Sequence, residues 1–247
     1  MKKVLQFSTI TCIVIALSGC GSSDESSGNG NVAEPFQSGD TWNGLVYETV
    51  TSPYTGKVWL DRNLGASQVC TALDDTACYG DYYQWGRKSD GHEKSDSNTT
   101  EIQATDIADV GTDYITDSTA YYGYEWAQAA DHNGSLRSMQ WSKTDGTSVC
   151  PVGFRVPTVA EFAAETTDEG MADNTEAFTN FLKLPSSGYR NPVNGLLDLQ
   201  GDYGSVWTMT VSSTYFYMSD ALYFGNSYAG TYYFNRGYGR SVRCIKD

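Results

Sequence analysis

Alternating apolar and polar side chains mark the first part of the chain as strand-rich. Val46–Val50 and Lys57–Leu60 alternate in this way. Proline and glycine in the intervening Ser52–Gly56 favour a turn, so the three segments predict a β-hairpin. Tyr82–Trp85 is another aromatic segment with the character of a strand or a turn start. Residues 88–147 are polar with spaced acidic side chains, and we expect an insertion that lies over the domain.

Helical signals appear in the middle of the chain. Thr158–Glu161 has the composition of a capping box, in which the threonine hydroxyl accepts from the Glu161 amide and the glutamate reaches back. A second helix is predicted over about Asp173–Leu184, because its apolar side chains recur on one face. Beyond Ser187 the pattern predicts strands and turns. Short helices between strand-rich ends predict an α+β domain.

The first 19 residues have the properties of an export signal. Lys2 and Lys3 precede the apolar run Val4–Leu17, which is too short to span a bilayer comfortably. The sequence Leu17–Cys20 resembles a lipobox, in which cleavage frees Cys20 for lipidation. An ordinary cleaved signal peptide with an incidental cysteine is the alternative. Residues 20–41 are rich in glycine, serine and asparagine near their start and predict a flexible tether.

Net charge narrows the class of partner. The formal net charge is −14, and it becomes −16 when Lys2 and Lys3 leave with the signal. An acidic surface repels phosphate backbones and anionic head groups, so we expect no nucleic acid as partner. Membrane contact is expected only through the lipid on Cys20. Gly21, rather than aspartate, follows this cysteine, which favours the outer membrane, on its periplasmic or cell-surface side.

Four of the six cysteines are candidates for disulfides. Cys12 leaves with the signal and Cys20 receives the lipid, so the others face an oxidising compartment. Three pairings are possible, and we favour Cys70–Cys78 together with Cys150–Cys244. A metal site is the alternative. Without a Cys-x-x-Cys pair we expect no metal.

A frame of short signatures runs through the chain in a fixed order. The signatures are Gly56–Ala66, Tyr79–Arg87, Cys150–Thr158, Leu184–Arg190, Gly201–Trp207 and Gly239–Cys244. In their order and in their residues they resemble the bacterial FISUMP domain, a family first noted as a large paralogous set in Fibrobacter. That family is similar to the C-type-lectin-like and sulfatase-modifying-factor folds. The resemblance covers about residues 42–247 and implies one lectin-like domain, with a strand-rich, tyrosine-rich C-terminal part.

Motifs for catalysis are missing from the sequence. Gly225–Ala229 approaches a serine-hydrolase elbow but lacks the last glycine, and His92 and His132 both lie in the polar segment. Asn191–Val193 is not a calcium–sugar tripeptide of C-type lectins. The sulfatase-modifying relatives use a late cysteine pair, whereas only Cys244 lies there. We therefore expect neither an enzyme nor a cofactor.

The segment Trp207–Tyr238 differs in composition from the rest of the chain. It holds seven tyrosines with serine, glycine and asparagine between them, and its only charged residues are Asp220 and Arg236. Such residues are typical of binding surfaces. Burial in a strand is the alternative for any one ring, and we assign Leu222 and Phe224 to the core. The expected ligand-binding residues are Trp207, Tyr215, Tyr217, Tyr223, Asn226, Tyr228, Tyr232, Tyr233 and Asn235.

Two functions of different classes fit these features better than a third, a degenerate hydrolase or modifying enzyme that would depend on His92 and His132. One is a cell-envelope lipoprotein that displays a lectin-like domain for a glycan or protein ligand. The other is a structural envelope protein that docks to a partner through its aromatic C-terminal face. Asn, Tyr, Ser and Asp codons differ by single bases, so the segment also fits a receptor or adhesin diversified by a retroelement that targets lectin-like domains. An ordinary aromatic binding face is the simpler interpretation.

Overall fold

Short strands, mostly antiparallel, organise the fold. The computed structural model describes residues 33–117, 124–127 and 131–247. The strands are β1 (Thr41–Trp42), β2 (Leu45–Val46), β3 (Thr49–Thr51), β4 (Val58–Leu60), β5 (Tyr83–Gln84), β6 (Thr99–Thr100), β7 (Tyr114–Ile115), β8 (Phe154–Arg155), β9 (Tyr189–Arg190), β10 (Leu197–Asp198), β11 (Gly204–Val211), β12 (Met218–Gly225), β13 (Tyr228–Asn235), β14 (Gly239–Arg240) and β15 (Ile245–Lys246). The helices are α1 (Ser135–Trp141), α2 (Val159–Glu165) and α3 (Asn174–Thr179), with 3-10 turns at Thr76–Cys78 and Thr167–Glu169. This is the predicted α+β class.

A sheet of order β3-β4-β15-β8 joins the two ends of the domain. The predicted hairpin is present as β3 and β4, with Val50 opposite Trp59. Its first strand begins later than the pattern suggests, because β2 pairs with β1 instead. Ile245 of β15 lies opposite both Trp59 and Arg155, so the last strand is enclosed on both sides. A second sheet has the order β10-β9-β14-β5, and the C-terminal sheet has the order β11-β12-β13.

The four described cysteines form two disulfides, with the favoured pairing. Cys70–Cys78 closes a short loop, with the two Cα atoms 5.0 Å apart. Cys150–Cys244 joins residues 94 positions apart and is buried in the main core beside Trp207 and Val242. The long link therefore fixes the end of the chain to the segment that precedes β8.

The capping box predicted from the sequence is present. The Thr158 hydroxyl accepts from the Glu161 amide, the Glu161 carboxylate accepts from the Thr158 amide, and Phe162 is buried. The second predicted helix is shorter than expected, since α3 ends at Thr179. Asn180 ends it by donating to the Glu165 carbonyl and accepting from the Leu182 amide, contacts that need a non-helical backbone.

The domain begins earlier than residue 42. Ala33–Asp247 forms one compact unit, and Phe36 is buried with its ring 5.8 Å from that of Phe154. Residues 33–41 therefore belong to the fold and not to the tether. The signal over 1–19 and the lipidation site Cys20 lie outside the described residues. Within the described ranges, none of the helices has the length and apolar character needed to cross a membrane.

Residues 88–147 contribute to the core and do not merely lie over it. The indole of Trp126 is buried and donates to the Trp85 carbonyl at 2.8 Å, and that of Trp141 donates to the Arg87 carbonyl at 3.0 Å. The many acidic residues in this segment make it polar on average, so its composition does not indicate the two buried tryptophans. A polar average over 60 residues is compatible with a few large buried rings.

Buried arginines connect the loops of this fold. Seven of the described arginines are buried, namely Arg62, Arg87, Arg137, Arg190, Arg236, Arg240 and Arg243. Arg190 is representative, because it donates to the carbonyls of His92, Lys94, Gly195 and Ser97 at 2.7–3.2 Å. In a chain with little regular secondary structure, these guanidinium groups donate to backbone carbonyls that are not paired within a β-sheet or helix.

Candidate ligand-binding surface

Both faces of the C-terminal sheet carry core residues, and one edge of the sheet has no neighbouring strand among the described residues. Leu222 and Phe224 pack with Phe162 of α2, as expected for core residues. On the opposite face, Trp207 and Ala221 join the main core. β13 is the last strand in the sheet order, so its outer side has no neighbouring strand among the described residues. The accessible aromatic side chains lie along this strand and the β11–β12 loop.

Four rings form what we call the tip cluster: Tyr215, Phe216, Tyr217 and Tyr233. The ring centroids of Tyr215 and Tyr233 are 4.9 Å apart, and those of Phe216 and Tyr217 are 5.3 Å apart. Tyr215, Phe216 and Tyr233 are exposed by 38%, 50% and 43%. The Phe216 ring also packs on the imidazole of His132, with the ring centroids 4.9 Å apart. Large rings that are this exposed and packed side by side form an apolar patch of the kind used for binding.

Six further rings form what we call the inner cluster: Tyr203, Tyr223, Tyr228, Tyr232, Phe234 and Tyr238. Tyr203 and Tyr223 stack with an interplanar angle of 4°, and Tyr228 packs against both. Only Tyr232 is well exposed, by 47%. The sequence-predicted tyrosines therefore separate into an accessible group at the tip and a largely packed group.

A buried cation lies beneath the inner cluster. The Arg240 guanidinium carbon is 3.7 Å from the Phe234 ring centroid and 5.0 Å from that of Tyr238. It donates to the Ser205 hydroxyl, while its Nε has no hydrogen-bond partner among the described residues. Desolvation lowers the pKa of Arg240 to about 10. Cation–π contact with several rings stabilises this charge and fixes the rings in place.

Arg236 holds the loop that carries three rings of the tip cluster, namely Tyr215, Phe216 and Tyr217. Its guanidinium donates to five acceptors at 2.7–3.2 Å, which are the carbonyls of His132, Asn133, Phe216 and Met218 and the hydroxyl of Ser219. Its guanidinium carbon lies 4.9 Å from the Trp85 ring centroid. The backbone on both sides of Tyr217 is thereby tied to the core, so the exposed rings project from a fixed loop.

The remaining predicted site residues have different positions. Trp207 is fully buried and its indole donates to the Tyr83 carbonyl at 2.9 Å, so it belongs to the core and we remove it from the surface. Asn226 is exposed in the β12–β13 turn and accepts from the Asn174 amide at 2.8 Å. Asn235 is half-buried at the far end of β13. The two asparagines therefore lie at opposite ends of the strand and do not form one site.

Asp220 was noted in the sequence only as a charge, yet it lies beside the tip cluster. In the antiparallel register Asp220 of β12 is directly opposite Tyr233 of β13, so the two side chains share a face. No hydrogen bond or ion pair reaches its carboxylate from the described residues. Burial alone raises the pKa of Asp220. A half-buried acid without a partner, amid tyrosines, is an unusual feature that residue type alone does not reveal.

A second cluster consists of Asp90, His92 and Glu93. Each offers one atom that could bind a metal, and these three atoms lie within 4.8 Å of one another. His92 is fully buried, and its Nε2 accepts from the Gln84 amide at 3.0 Å. The Nδ1 atom therefore carries the proton and contacts the Asp90 carboxylate at 2.6 Å. Desolvation, followed by repulsion from Arg87, lowers the pKa of His92 to about 4. Both ring nitrogens serve the fold, which makes this a structural cluster.

No protein-family model, curated protein or solved structure matches the chain. The resemblance to FISUMP and lectin-like domains therefore stays a hypothesis, and function must be inferred from the surface of this molecule.

Proposed function

We propose that this protein is a ligand-binding module of the cell envelope, anchored to the outer membrane by lipid on Cys20. The tip cluster with Tyr232 is the proposed binding surface, and a glycan or a protein is the proposed ligand. The observation that carries the proposal is the exposure of Tyr215 and Phe216 on a loop held by Arg236, next to the exposed Tyr233 of β13. Rings fixed before binding lose little entropy when a ligand arrives, which favours affinity.

The binding surface is tested by screening the full-length protein on an array of glycans and envelope components. The double variant Tyr215→Ser/Tyr233→Ser should lose every specific signal of the parent protein. Because both rings are exposed, its melting temperature should change by only a few degrees. Tyr54→Ser, which removes an equally exposed ring from the β3–β4 turn, serves as the control and should bind normally. Unchanged binding by the double variant would refute this surface.

The anchor is tested separately. Replacing Cys20 with serine should release the protein from the membrane fraction, since one modified cysteine is the only proposed attachment. If Cys20→Ser still fractionates with the outer membrane, the lipoprotein proposal is wrong, while the binding surface is unaffected.

Permanent docking to an envelope partner is the second candidate, and the free edge of β13 favours it. Tyr228–Asn235 is eight residues long, uncharged and free of proline, and such edges pair with other strands unless protected. A docking protein should self-associate or co-purify with a partner at stoichiometric amounts. A monomer by light scattering, with no co-purifying protein, would leave only the binding module.

A further inference from the structure

We propose that the tip cluster and Asp220 together bind an organic ammonium group. The proposal rests on the function proposed above and specifies the chemistry of its ligand. An ammonium group is attracted both by the faces of tyrosine rings and by a carboxylate, and the described residues bring these two features together at one end of the C-terminal sheet.

The position of Asp220 follows from the register. Met218–Gly225 pairs with Tyr228–Asn235 without interruption, which places Asp220 opposite Tyr233. Directly opposed residues in an antiparallel pair have Cβ atoms about 5 Å apart, so the carboxylate lies beside the base of the Tyr233 ring. Tyr233 in turn packs on Tyr215, whose ring is 5.8 Å from that of Tyr217. The three rings are thus contiguous, and the strand register places Asp220 beside the first of them.

The carboxylate has nothing to neutralise it within the described part of the chain. The guanidinium of Arg236 donates to four carbonyls and one hydroxyl and lies 3.7 Å from the Glu125 carboxylate, and no ion pair from the described residues reaches Asp220. Partial burial disfavours the ionised acid, as the raised pKa of Asp220 indicates. A bound cation would offset this desolvation, which a neutral ligand could not do.

Overall charge favours the same class of ligand. The chain carries a formal net charge of −14. Cationic ligands are therefore concentrated near the surface, and anionic ligands are repelled. The buried arginines do not counteract this locally, because their guanidinium groups point into the fold and are bound there. An ammonium group can come from a small molecule or from a lysine side chain, and the chemistry of recognition is shared.

The test uses the full-length protein at fixed ionic strength with three probes. Choline supplies a free quaternary ammonium group, and Nα-acetyl-lysine methylamide supplies a protein-like primary one. The third probe, 3,3-dimethylbutan-1-ol, has the shape of choline without its charge. Calorimetric titration should show that at least one ammonium probe binds about tenfold more tightly than the neutral alcohol. The tighter of the two ammonium probes identifies the source of the ligand.

Variants connect binding to the proposed residues. Asp220→Asn should weaken binding of the ammonium probe about tenfold and leave the weak binding of the alcohol unchanged. Asp202→Asn removes one exposed acid from the turn before β11 and should bind like the parent protein. Denaturant midpoints check that each variant is folded, and Asp220→Asn should be no less stable because it removes a desolvated charge.

Two results would overturn the proposal. One is equal affinity for choline, the lysine derivative and the alcohol. The other is unchanged ammonium binding by folded Asp220→Asn. If either occurs while Tyr215→Ser/Tyr233→Ser still abolishes the array signals, only the ammonium inference fails. If the array signals also survive the double variant, the proposed binding surface fails as well.

Discussion

Replacing Arg236 with methionine tests how the tip cluster is held. Methionine has a similar length but no donors, so all five acceptors of the guanidinium lose their partner. A hydrogen bond to a charged group is worth about 1.5–3 kcal/mol, but burying the cation is costly, as the lowering of the pKa of Arg236 to about 10 by desolvation indicates. The carbonyl of exposed Phe216 can bind water instead. We expect a net loss of about 3 kcal/mol in the free energy of unfolding.

Urea unfolding followed by tryptophan fluorescence measures this loss, since Trp85 lies against the guanidinium. Arg236→Lys keeps the charge with fewer and differently placed donors and should lose about 2 kcal/mol. Ligand binding by folded Arg236→Met should also weaken, because the loop with Tyr215 and Phe216 is no longer tied down. If the free energy of unfolding of Arg236→Met is within about 0.5 kcal/mol of that of the parent protein, the reasoning is refuted.

Three further predictions concern stability. The pKa of His92 falls from 6.5 to about 4 on folding, so its contribution to the free energy of unfolding is fully present above pH 6.5. The free energy of unfolding should drop by up to about 3 kcal/mol as the pH falls towards 4. His92→Gln should flatten this pH dependence, measured by urea titrations at a series of pH values. Replacing both cysteines of Cys150–Cys244 with alanine should lower the free energy of unfolding by about 4–5 kcal/mol, against about 2–3 kcal/mol for Cys70–Cys78, because the longer loop gains more entropy on opening. Equal losses would contradict this dependence on loop length. Thr158→Ala should lower stability by about 1 kcal/mol through loss of the helix cap, measured by the same unfolding assay.

Local signals in the sequence predicted local structure well. The capping box at Thr158 and the β3–β4 hairpin depend on neighbours within a few positions, so residue types suffice to find them. The length of α3 was overestimated, because Asn180 bonds to Glu165, which is remote in sequence. Apolar periodicity contains no information about such a contact.

The candidate surface was predicted in composition but not in geometry. Tyr215 and Tyr233 are accessible as expected, whereas Trp207 is in the core. The strand register puts Trp207 and Tyr233 on opposite faces of the sheet, and Tyr215 lies in the β11–β12 loop. The same register places Asp220 beside Tyr233. Arg236 could not be assigned either, because its acceptors come from loops about 100 positions away as well as from nearby ones.

The position of β15 in its sheet has a consequence for how the protein folds. This strand completes the sheet between β4 and β8, and β14, Arg243 and Cys244 supply their core contacts within the same few residues. A chain that lacks residues 239–246 therefore leaves both flanking strands without their shared neighbour. Contacts between such distant positions form late, so we expect the domain to complete its fold only when these residues are present. A chain truncated before this segment is therefore expected to be cleaved by proteases faster than the full chain.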